Sequence, residues 1–140
     1  MFYKIFETIK NYINKQNKLF SILLALKNEY KYNSKHRGNE QSRFKITSLT
    51  KAIENPLFYT LYKSIAEECL KINELANDAN QGQLFRRKMV PADVQEMMTE
   101  VADKINEILP ELEKSTTLLG YIHFLIKKLF SSKYKNKYNN

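Results

Sequence analysis

Apolar residues recur every three to four positions over most of the chain, the spacing that gathers side chains on one face of an α-helix at about 100° per residue. Phe2, Ile5, Phe6, Ile9, Tyr12, Ile13, Phe20, Leu23 and Leu24 fall on one side, and Lys4, Lys10, Lys15 and Lys18 lie opposite. This predicts a basic amphipathic helix from Phe2 to about Tyr30. At about 1.5 Å per residue it would run about 43 Å, longer than helices of small domains usually are. Its first turns are therefore expected to project from the fold or to need a partner.

From Tyr32 to Lys45 the period disappears and Gly38 intervenes, so a basic loop is expected over about residues 32–47. Ser48 is placed to cap a short helix, TSLTKAIE, and Asn55 with Pro56 to start the next. Leu57, Leu61, Ile65, Cys69, Ile72 and Ala76 give that helix a core face reaching about Asn77. A loop over about residues 78–90 comes next, with Gly82 suited to a left-handed turn. Pro91 opens a helix with two clean faces: Val94, Met97, Met98, Val101, Ile105, Ile108, Leu109 and Leu112 are apolar, and Glu96, Glu100, Asp103, Glu107 and Glu111 are acidic.

Pro110 is expected to kink this helix or to separate it from the last one, for which Ser115 would be the cap. The last helix contains LLGYIHFLIKKLF, in which Leu118, Leu119, Ile122, Leu125, Ile126, Leu129 and Phe130 share one face. That face is expected to close the core, leaving Tyr121, Phe124, Lys127 and Lys128 outside. The sum is an all-α, single-domain bundle over residues 1–133, with four main helices and one short one, and a basic tail over residues 134–140. Only three glycines and three prolines occur, too few for a fold of many short strands.

The net charge of +8 is unevenly spread: residues 1–45 carry +7, residues 46–114 carry −4 and residues 115–140 carry +5. Two basic ends flank an acidic middle, a layout that bears on partners. The single Cys69 excludes an intramolecular disulfide framework, and a reducing, cytoplasmic compartment is expected. No cleaved signal segment and no membrane span are read, since the most apolar run is short and interrupted by Lys127 and Lys128. Small helical proteins of this composition include secreted bacterial effectors, a likeness of composition alone.

Catalytic chemistry is hard to assemble from this sequence. Cys69 lies on a core stripe, His36 sits in the basic loop, and His123 belongs to no Glu-x-x-His pair. There is no zinc spacing and no phosphate-binding glycine loop, so neither a metal nor a cofactor is expected. The sequence reads as a non-catalytic interaction module that binds a protein partner or associates with itself. Tyr121, Phe124, Lys127 and Lys128, with Tyr59 and Leu70 on the third helix, are the expected partner contacts, because the core does not require them. Binding to an anionic membrane surface through the two basic amphipathic terminal helices is the alternative, with Lys4, Lys10, Lys15 and Lys18 of the first helix and Arg86, Arg87 and Lys88 of the second loop as its contacts. Nucleic-acid binding is a third reading that the basic isoelectric point invites, though no recognition motif supports it.

Overall fold

The computed structural model describes residues 2–35, 43–117, 120–122, 126–127 and 129. Among them there is no strand, and the protein is an all-α helical bundle. Its helices are α1 (Phe2–Lys35), α2 (Thr47–Ile53), α3 (Pro56–Leu61), α4 (Lys63–Asn80) and α5 (Pro91–Lys114), with a 3-10 helix at Leu84–Arg87.

α1 and α5 form the long axis of the bundle. Gln95, near the start of α5, donates from Nε2 to the Asn33 carbonyl near the end of α1 at 2.9 Å, and Lys27 Nζ donates to Asn106 Oδ1 further along at 3.2 Å. The two helices therefore run antiparallel. Leu19, Leu23, Leu26 and Tyr30 of α1 are buried against a core that includes Val94, Met98, Val101 and Ile105 of α5. α4 supplies Ile65, Cys69, Ile72 and Leu75 to the same core. Its surface ion pair, Glu68 with Lys104 of α5 at 2.7 Å, lies in water and contributes roughly 0–1 kcal/mol.

Three boundaries differ from the sequence expectation. α1 continues to Lys35, through the beginning of the expected loop, because Gln95 Nε2 satisfies the carbonyls of Asn33 and Ser34 at its last turn. The helix expected from Pro56 to Asn77 is broken at Tyr62, whose φ of −137° and ψ of 55° leave the helical region before the ladder resumes in α4. Asn55 does cap α3, its Oδ1 accepting from the amides of Leu57 and Phe58. α5 runs past the exposed Pro110 without interruption to Lys114, so the separation from the last helix comes at Ser115–Thr117 instead. Ser115 closes α5, donating from Oγ to the Leu112 carbonyl. Thr117 starts the next helical turn, its Oγ1 accepting from the Gly120 amide and its carbonyl from the Tyr121 amide.

α2 is capped from a distance. Ser48, expected as its cap, lies inside the helix, and no side chain of Ile46 or its neighbours takes that place. The carboxylate of Glu29, on α1, accepts instead from the amides of Ser48 at 3.0 Å and Leu49 at 2.9 Å. A negative group at a helix N-terminus satisfies orphan amides and matches the dipole. The chain leading into α2 is held in the same manner. Asn33 exchanges two hydrogen bonds with the backbone of Lys45, both at 2.9 Å, and Asn80 exchanges two with the backbone of Phe44, at 2.8 and 3.0 Å. Two side-chain amides thus stand where neighbouring strands would otherwise pair this segment. Phe44, held between them, is buried in the core. Gly82 adopts the expected positive φ of 69°.

Candidate functional site

The apolar face of α1 is one stripe with two environments. From Gln16 onward Leu19, Leu23, Leu26 and Tyr30 are buried and Phe20 half-buried, while Leu24, expected on this face, is 37% exposed because its position lies at the stripe's edge; Tyr3, Ile5, Phe6 and Tyr12 are exposed, and Ile9 and Ile13 only half-buried. Length explains the change. At about 1.5 Å per residue α1 spans about 51 Å and its antiparallel partner α5 about 36 Å, so α5 ends while α1 continues. Phe6 is 67% exposed, and beside it Tyr3, Glu7 and Lys10 line a shallow groove with Asn11 and Asn14. A second groove brings Lys15, Lys18 and Tyr12 to the start of α3 at Asn55 and Pro56.

The helical residues after Thr117 meet this uncovered part of α1. Gly120 packs so closely that a Cβ there would overlap the Lys114 carbonyl oxygen, which lets the chain turn tightly off the end of α5. Tyr121 then stacks on Tyr12, ring centres 6.0 Å apart and planes 22° from parallel, with Lys15 Nζ 5.7 Å from the same Tyr12 ring. Burial, with Tyr12 beside it, raises the Tyr121 phenol above its ordinary value.

This contact reverses the expected orientation of the last helix. Tyr121, expected on the outer face, is 5% exposed; Ile122, expected in the core, is 43% exposed. Ile126 and Leu129 are likewise out, at 52% and 74%. The sequence is apolar on both sides of this helix, so the tyrosine stack decides which side turns inward, and the stripe about 100° away is left bare. Lys127 is exposed as expected, while Phe124, Lys128 and His123 lie outside the described residues, as does His36.

Other expected contacts are scattered. Tyr59 is half-buried on α3 with its ring centre 6.3 Å from that of Phe58, and Leu70 is exposed on α4; neither is part of the tyrosine stack. Lys4 and Lys10 are exposed on the uncovered turns of α1, and Lys15 and Lys18 are exposed beside the start of α3. Arg86, Arg87 and Lys88 sit on and just after the 3-10 helix, away from those lysines in sequence, and Arg87 is paired with Asp78. The sequence led to an expectation that the first turns of α1, with Ile5 and Phe6, project or need a partner, but not that Ile126 and Leu129 are exposed. The available signal for the projection was the length of the first helix.

Cys69 is fully buried, and Tyr30 Oη donates to its Sγ at 3.5 Å. Burial pushes the thiol from 9.0 up to about 12, so it remains protonated and a poor nucleophile. Tyr30 is raised well above 10.0 by the same cause. The unfolded chain then releases the Cys69 proton at lower pH than the native one, so stability is full below about pH 9 and falls as pH rises towards 12. Urea unfolding measured from pH 8 upward is expected to show that decline, and Cys69→Ala to lessen its slope by about 1.4 kcal/mol per pH unit, the contribution of one proton.

Among the described residues no three of His, Cys, Asp or Glu gather as metal ligands would, and no helix is long and apolar enough to cross a membrane. Comparison of the chain with protein-family models, with curated proteins and with solved structures found no match.

Proposed function

We propose that the protein is a non-catalytic helical interaction module whose contact surface is the uncovered end, formed by the first turns of α1 and the helical residues after Thr117. The observation that carries this reading is the bare continuation of a core-forming stripe. Side chains of the type that close the bundle from Gln16 onward, Ile5 and Phe6 among them, face water on the first turns of α1, and Ile122, Ile126 and Leu129 face water on the helical turns that meet α1 through the Tyr12–Tyr121 stack. Isolated exposed apolar groups are ordinary on any protein, but a row that continues a core-forming helix face into water marks a contact surface.

The reading is tested by placing a photo-crosslinking benzoyl-phenylalanine at position 6 or position 126 and, as a control, at Phe85, an exposed aromatic residue on the 3-10 helix. Illumination in cells is expected to give adducts, to a protein or to lipid, from the first two positions and none from the third. Adducts from Phe85 alone, or from none of the three, would place the contact elsewhere or remove it.

A further inference from the structure

We infer that the occupant of this end is an anionic lipid surface, with the first turns of α1 and the side chains of Ile122, Ile126, Lys127 and Leu129 lying in the interface. The inference rests on the contact-surface reading above and adds the chemistry of the partner. Charge narrows it first. Lys4, Lys10, Lys15 and Lys18 are exposed on the side of α1 away from its apolar stripe and Lys127 is exposed after α5, with Glu7 the one acid among the described residues of the first turns of α1. The complement must therefore be negative as well as apolar.

A second copy docked through the same end would set these lysines against their own images, so a closed symmetric pair is disfavoured. A negative protein partner remains, and residue type weighs against it. Protein interfaces are depleted in lysine and use arginine, and every cation among the described residues of this surface is a lysine. Lysine on the polar side with Phe and aliphatic residues on the other is the composition of helices that lie in a lipid headgroup layer. The shape agrees. Phe6, Ile126 and Leu129 project from helix surfaces, and the grooves beside α1 are shallow, which suits a deformable surface better than a shaped ligand. Glu96, Glu100 and Asp103 lie on α5 alongside the covered half of α1, while Glu111 and Glu113 lie on its last turn, nearer the uncovered turns, so attraction to an anionic surface falls to the lysines of the first turns of α1 and to Lys127.

The test is sedimentation of the full chain with phosphatidylcholine vesicles and with vesicles of phosphatidylcholine mixed with phosphatidylserine. Binding is expected to the mixed vesicles only, and to weaken as salt is added. Phe6→Ser with Ile126→Ser is expected to abolish it at an unchanged melting temperature. Lys4→Glu, Lys10→Glu and Lys127→Glu together are expected to weaken it by about 100-fold or more, since each lysine near such a surface adds about fivefold. No sedimentation with the mixed vesicles at low salt would overturn the lipid assignment. If position 6 then crosslinks to a protein, the contact-surface reading stands without it; if position 6 crosslinks to nothing, both fail. Binding that survives either set of substitutions, or a serine variant that melts early, would also overturn it.

Discussion

Val101→Asp is expected to leave the chain unfolded at room temperature, whereas Ile122→Asp is expected to melt within a few degrees of the parent. Val101 is 3% exposed on the core face of α5, where an unpaired carboxylate would have no water and no partner. Stranding such a charge costs several kcal/mol even after the group protonates, a large share of the roughly 5–15 kcal/mol that holds a domain of this size together. Ile122 belongs to a stripe with the same helical spacing, yet it faces water, and its replacement leaves the carboxylate solvated. Thermal melts followed by circular dichroism separate the two. Equal destabilisation would mean that Ile122 is part of the core and that the residues after Thr117 do not present their apolar side outward.

Asn33→Leu is expected to cost about 2–6 kcal/mol, although it replaces one buried side chain by another of similar size, because leucine would strand one donor and one acceptor at about 1–3 kcal/mol each when not rehydrated. Asn33 is 2% exposed, and both ends of its amide are used by the Lys45 backbone. Urea unfolding measures the loss, and Asn33→Gln does not restore it if the reach of the amide matters as well as its chemistry. A leucine variant as stable as the parent would show that water replaces the amide at no cost.

The two substitutions illustrate what the sequence made legible. The faces of α5 were readable because a helix of 24 residues repeats its pattern several times, and Asn55 with Pro56 was readable because a cap acts on residues two and three positions ahead. The break at Tyr62 was not. No glycine or proline marks it, and Leu61 and Ile65 keep the helical spacing across it, so the stripe continues while the backbone does not. Glu29 as the cap of α2 and Asn33 as the partner of Lys45 were hidden for another reason: each acts across 12 or more residues, where polar side chains carry no periodic signal. The candidate surface was half legible. Its lysines and the projection of α1 were expected, but Tyr121 and Ile122 were exchanged because a stripe apolar on both sides does not say which side finds a neighbour.

The asparagine pair has a consequence for how the polypeptide is joined. Because Asn33 and Asn80 grip the backbone of Phe44 and Lys45 from two different helices, the segment entering α2 is fixed by groups other than the residues that connect it to α1. The hold on Phe44 and Lys45 therefore does not depend on chain continuity between Lys35 and Arg43. A chain severed there is expected to hold together as two complementary fragments, which gel filtration after cleavage would show.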